Sequence, residues 1–198
     1  MSSKEFELAK KVLDNHGVIS FPTETVMGLG VYFDDQEAYN YLNKIKRRPE
    51  DKPYTLMLGD PKDIEKYAYV SKRDKKIIEA FMPGSVTLLL KAKDNVPGYV
   101  THNTNVIGVR VPDLKVVCEF ISSLNRPLLV PSANRSGEKP AMNDQEVKSI
   151  FKEEVGYVFK GQCLGGVPST IIDLTGEEVK ILREGPIKIE AIKRVLED

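Results

Sequence analysis

The chain is 198 residues long, 41 % hydrophobic and 29 % charged, which excludes a disordered or collagen-like polymer and fits one α/β domain over residues 1–198. Its 29 basic residues are matched by 29 acidic ones, so the overall charge gives no footprint for nucleic acid or membrane, and a polyanion has to be met by a local basic patch. Two cysteines without metal-ligand spacing (Cys118 and Cys163), no N-terminal apolar signal segment and no apolar run near the ~20 residues of a bilayer span predict a cytoplasmic protein with no membrane partner.

Ser2 followed by Glu5 is a capping-box pattern, and Phe6, Ala9, Val12 and Leu13 make one apolar stripe, so a helix is predicted over roughly residues 3–15, closed by Gly17. Val18 to Phe21 reads as a strand halted by Pro22, and Pro22 to Gly30 as a glycine-rich turn. Asp34 with Glu37 opens a second helix through Ala38, Tyr41, Leu42 and Ile45, which has to stop near Pro49; Lys46 and Arg48 then stand at a solvent-reachable helix exit. Ser71 is placed to cap a helix carrying Ile77, Ile78 and Phe81, and Asp113 one carrying Leu114, Val117, Cys118, Ile121 and Leu124.

Strands are predicted at 86–91 and 106–111, joined by a polar loop over 97–105 that holds His102, and again at 128–130, 157–159, 170–174 and 179–182, with Gly176 turning the last two into a hairpin. Neighbouring strands without helices between them argue for a twisted mixed sheet with flanking helices rather than a purely parallel one.

Four segments put ligand-binding chemistry beside strand ends. Pro22 to Gly30 offers Thr23, Glu24 and Thr25 next to glycines that allow a close backbone approach. Lys44, Lys46, Arg47, Arg48 and Lys52 form a cation cluster able to neutralise a triphosphate or a nucleic-acid backbone, although cations at a helix exit are also favoured by its dipole. Val130 to Gly137 brings Ser132 and Asn134 out of a buried strand, and Ser169 and Arg183 sit on the two strands of the final hairpin. A Walker loop and a dinucleotide fingerprint are both missing, and His16 and His102 lie in contexts that give neither a metal site nor a catalytic triad.

The ordered strings PTETVMGLG, Lys46 to Pro53 as KxRPxxKP, PGSVTLLL, GVRVP, PSANRSG, PSTIIDLT and LREG resemble the YrdC-type threonylcarbamoyl-AMP synthases, in a short form without the extra C-terminal domain. The resemblance implies an α/β domain with a deep basic concavity that joins L-threonine, bicarbonate and ATP, with Mg²⁺ accompanying ATP, into threonylcarbamoyl-adenylate and pyrophosphate for tRNA threonylcarbamoyladenosine modification. A transfer enzyme would then use the adenylate. It further implies that Lys46 and Arg48 act in catalysis, that these two with Lys52, Ser132, Asn134 and Arg183 bind ATP, and that Thr25, Arg110, Val130 and Ser169 bind threonine; no metal-ligand set is implied.

Three positions depart from the family's common residues: Met27 and Met57 replace a Tyr and a His near the expected threonine pocket, and Ser85 replaces a proline. Tyr54 to Met57 also resembles the YciO-like paralogs, whose adenylation substrate differs or is unknown. A non-catalytic module for structured or double-stranded RNA is the alternative from another functional class, and steep salt dependence would mark it.

Overall fold

The computed structural model describes residues 1–48 and 53–197. In chain order the elements are α1 (Ser3–Asp14), β1 (Ile19–Phe21), β2 (Gly28–Tyr32), α2 (Gln36–Lys46), β3 (Thr55–Met57), α3 (Ile64–Tyr67), α4 (Lys72–Phe81), β4 (Val86–Lys91), α5 (Gly98–Thr101), β5 (Val106–Arg110), α6 (Lys115–Ser123), β6 (Leu128–Leu129), α7 (Asp144–Phe151), β7 (Tyr157–Val158), β8 (Thr170–Asp173), β9 (Lys180–Arg183) and α8 (Ile189–Glu197). The strands form one nine-stranded sheet in the order β7-β1-β2-β6-β3-β5-β4-β8-β9. It is mixed: β1–β7, β3–β5 and β4–β8 pair in parallel, and the other neighbours are antiparallel.

Side-chain alternation sorts the strands into two faces. Leu29, Val31, Leu56, Leu88, Val109, Leu129 and Ile172 point into a large core shared with Leu42 and Ile45 of α2, Ile77 and Ile78 of α4, Val147 and Phe151 of α7, and Ile192 of α8. Ile19, Phe21, Tyr32, Met57 and Leu128 point the other way, under Ala9 and Leu13 of α1 and Val117, Phe120 and Ile121 of α6. Thr55, Thr87 and Arg110 share this second face and line an open cleft. No helix among the described residues is long and apolar enough to cross a membrane.

Several expected elements form as read. The Ser2–Glu5 capping box opens α1, Ser71 caps α4 through a capping box with Asp74, and β8 and β9 pair antiparallel across the turn at Gly176. Others differ. Pro22 to Gly30 is only half a turn, because Gly28–Tyr32 is a fully buried strand between β1 and β6. Its glycines are a packing requirement: a Cβ on Gly28 would lie 2.7 Å from a Val130 methyl, and one on Gly30 2.9 Å from the Phe21 ring.

Asp35, not Asp34, caps α2 by accepting from Ala38 N, while Asp34 pairs with Arg126. Asp113 caps nothing; Leu114 stands at the start of α6 without a side-chain hydrogen bond. The loop at 97–105 contains the short helix α5, whose C-cap is His102, with Nε2 3.1 Å from the Tyr39 hydroxyl. The sequence reading contains no counterpart of β3, α3, α7 or α8.

Candidate active site

The cleft encloses about 250 Å³ where strand ends of β3, β4, β5 and β8 meet three connecting segments. Thr55, Thr87, Arg110 and Ile171 form its floor; Thr25, Val130, Pro131 and Ser132 stand along one wall, and Pro168, Ser169 and Arg183 along another, with Arg48, Pro53 and Tyr54 at the rim. A larger groove of about 820 Å³ by Tyr69, Lys91 and Thr175 lacks this convergence: Arg73 there is committed to the carbonyls of Leu174, Gly176 and Glu177.

Arg110 is 8 % exposed and carries its guanidinium across the floor from β5. Val109 and Val111 go into the large core, so alternation sends Arg110 to the cleft face, as expected from GVRVP. Its Nη2 donates to Glu24 Oε1 at 2.6 Å and to Thr25 Oγ1 at 3.0 Å. Thr23 holds the Thr25 end: its hydroxyl accepts from the backbone N–H groups of Thr25 and Val26 and donates to the Val26 carbonyl at 2.7 Å, a side-chain turn in the segment before β2.

Ser169 lies 2.8 Å, hydroxyl to hydroxyl, from Thr87 on the neighbouring strand. Arg183 is on the exposed edge strand, yet its Nε and Nη2 donate to the Ser169 carbonyl at 3.0 and 2.9 Å, so the guanidinium is held at the cleft wall. Burial and the nearby Arg110 charge both lower its pKa.

Arg48 reaches the rim because α2 ends on Arg47 in the left-handed region, φ 50°, which reverses the chain. Its guanidinium lies 4.4 Å from the Tyr54 ring centroid, a cation–π contact, and its Nη2 donates to the Pro53 carbonyl at 2.8 Å.

Lys46 corrects the sequence reading. It is 1 % exposed, not solvent-reachable, and does not line the cleft. Its Nζ donates to the Ser132 carbonyl at 2.6 Å and the Asn134 carbonyl at 2.7 Å, with Asn134 Oδ1 at 3.4 Å, beneath the loop that follows β6. Burial first, then Arg48 and Arg135, pull its pKa down to about 7, while the oxygen acceptors favour the charged form.

Asn134 is likewise turned inward: it is 8 % exposed, its amide nitrogen donates to the carbonyls of Arg135 and Glu138, and its Oδ1 accepts from Ser132. Lys46 and Asn134 therefore shape the loop from which Ser132 faces the cavity. Lys52 lies outside the described residues.

Met27 and Met57 are also corrected. Met27 is fully buried in the large core and Met57 is 2 % exposed beneath α6, so neither side chain is part of the cleft wall. Glu24, Thr87, Tyr54 and Thr55 are the site residues that the sequence reading assigned no role; the clue to Glu24 was its place beside Thr25 in a segment already singled out for close approach. Among the described residues no group of three or more His, Cys, Asp or Glu could hold a metal ion.

The Sua5_yciO_yrdC family model, described as "Telomere recombination", matches residues 11–185. A Methanocaldococcus jannaschii protein provisionally named a threonylcarbamoyl-AMP synthase is 37 % identical over 193 residues, covering 96 % of this chain and 90 % of its own length. The crystal structure of Pyrococcus abyssi Sua5 complexed with L-threonine superposes with a TM-score of 0.94 at 29 % identity over 99 % of this chain, which spans only 58 % of that protein. Escherichia coli YciO superposes with a TM-score of 0.89 at 26 % identity, covering 96 % of this chain and 94 % of its own. With the family match over most of its length and this shared architecture, the chain belongs to the Sua5/YciO/YrdC family.

Proposed function

We infer that the protein makes L-threonylcarbamoyl-adenylate from L-threonine, bicarbonate and ATP, releasing pyrophosphate. The observation that carries this function is the convergence of Arg48, Arg110 and Arg183, from three separate parts of the chain, on one small cleft whose other polar side chains among the described residues are hydroxyl-bearing. Relatives named threonylcarbamoyl-AMP synthase, and a threonine complex of the same fold, support the choice of amino acid and nucleotide.

Arg110 and Thr25 take the threonine end, where a guanidinium fork matches the two oxygens of a carboxylate; Val130 and Ser169 close the pocket around the side chain. Arg48, Ser132 and Arg183 take the ATP phosphates. Lys46 acts from behind the Ser132 loop.

The threonine amine captures CO₂ derived from bicarbonate and loses a proton to give a carbamate. A carbamate oxygen then attacks the α-phosphorus of ATP, the bond to the β-phosphate oxygen breaks, and pyrophosphate leaves. The protein's share is to bring anionic reactants together and to neutralise charge on the transferring and departing groups. Mg²⁺ enters with ATP as part of the substrate, bound through the phosphates.

The test is pyrophosphate release with threonine and bicarbonate supplied together and singly. Release that needs both supports the assignment; equal release with another amine and none with threonine moves the substrate to a different amino acid.

A further inference from the structure

Arg110 is already engaged by a carboxylate of the chain itself. Glu24 Oε1 accepts from Arg110 Nη2 at 2.6 Å and from the Ser85 hydroxyl at 3.1 Å, so one oxygen links the residue before Thr25, the floor of the cleft and the segment leading into β4. The side chains of Arg110 and Glu24 are 9 % and 18 % exposed. Arg110 and Thr25 line the cavity whereas Glu24 does not, so the carboxylate meets the guanidinium outside the cavity lining.

Two atoms of this ion pair, Arg110 Nε and Glu24 Oε2, are buried without a hydrogen-bond partner, so the pair is held through a single nitrogen. Unpaired buried polar atoms are costly, and they persist where an arrangement serves something other than stability. Here Glu24 and Thr25 both engage Nη2 and Nε is buried, so Nη1 is the nitrogen left for a ligand. A long arginine side chain that had to be ordered at the moment of binding would lose rotamer entropy then; the Glu24 contact orders it beforehand.

We propose that Glu24 and Ser85 are positioning residues for the amino-acid substrate: Ser85 orients Glu24, and Glu24 pins Nη2 of Arg110 so that Nη1 meets the substrate carboxylate. The proposal rests on the assignment of this end of the cleft to threonine. Neither Glu24 nor Ser85 lines the cleft, and both act through Arg110, so the effect belongs to the amino-acid end. Ser85 matters because a residue without a hydroxyl at that position leaves Glu24 Oε1 with only its arginine contact.

Steady-state kinetics with threonine and ATP varied separately provide the test, on the wild type, Glu24→Ala, Ser85→Ala and the double variant. A charge-assisted hydrogen bond lost from the arginine's support raises the threonine KM about tenfold in Glu24→Ala and about threefold in Ser85→Ala, with the ATP KM within about twofold. Ser85→Ala has no further effect in the Glu24→Ala background, because the two act through one contact, and Ser85→Thr, which keeps the hydroxyl, restores the wild-type value. An unchanged threonine KM in Glu24→Ala, equal effects of Ser85→Ala in both backgrounds, or a parallel rise for both substrates overturns the proposal.

A second measurement is independent of turnover: in the NMR spectrum of isotope-labelled arginine side chains, rotation of the Arg110 Nη2 group is slow in the wild type and released in Glu24→Ala. The same rotation rate in both proteins overturns the proposal as well. If the wild type shows no threonine-dependent reaction, the substrate assignment fails, and the NMR comparison still decides whether Glu24 holds Arg110.

Discussion

Lys46 brings a charge to the end of α2 and buries it against the protein's own carbonyls. With its pKa at about 7 in the folded chain and an ordinary 10.5 when unfolded, the unfolded state binds more protons between those values. The cost of burying the ammonium is therefore full below about pH 7 and is relieved as the pH rises toward 10.5. Lys46→Met removes the Nζ donor, leaving the Asn134 carbonyl without it and the Ser132 carbonyl with only the Asn134 backbone N–H, and is expected to lower stability by about 1–3 kcal/mol. Urea midpoints of wild type and variant from pH 6 to 10 read both effects: the gap between them widens above pH 7, and a gap independent of pH contradicts the account.

Arg110 belongs to the same scale. Arg110→Lys keeps the charge and loses the fork, so the threonine KM rises about tenfold while the ATP KM stays nearly constant; a weakened ATP KM with threonine unaffected would mean that the two ends of the cleft are reversed. Met57 has a different consequence from the one its sequence position implied. Because it packs beneath α6, Met57→His brings a polar ring into a core and acts on stability rather than on threonine use.

At the scale of elements, the sequence was legible where a local signal is also the signal that decides the structure. Ser2 with Glu5 and Ser71 with Asp74 are reciprocal hydrogen bonds contained within four residues, and the helices begin there. The Val86–Lys91 and Val106–Arg110 strands carry enough apolar alternation to be read alone. β2 was obscured because Gly28 and Gly30 are turn residues by composition, whereas their role is to admit Val130 and Phe21 from neighbouring strands, which only tertiary packing reveals.

Gly28 also couples strand packing to the site, since the Val130 methyl it accommodates belongs to a residue of the cleft wall. Gly28→Ala is expected to cost about 1–3 kcal/mol by overpacking and to raise the threonine KM as Val130 moves. Gly176→Ala, at a turn with open space around it, is the control and stays within about 0.5 kcal/mol. Thermal melts and threonine kinetics on the pair distinguish a specific contact from a general dislike of substitution.

For the whole molecule, equal numbers of acidic and basic residues conceal a local arrangement in which three arginines face one cleft. The family resemblance that the ordered motifs carry implied Thr25, Arg48, Arg110, Val130, Ser132, Ser169 and Arg183 as site residues, and all seven line the cavity. It could not show that Lys46 and Asn134 turn inward, because a lysine at a helix exit looks the same whether it meets water or a carbonyl. The strand order was equally hidden: β7 pairs with β1 and β8 with β4 across long stretches of chain, and no local pattern specifies such partners.

The proposed reaction is tested most directly by the mass of its product. With ATP, Mg²⁺, L-threonine and carbon-labelled bicarbonate, the account predicts an adenylate in which the label and threonine are both joined to AMP. An adenylate of threonine without the label, formed through the amino acid's own carboxylate, would contradict it, as would the absence of any adenylate.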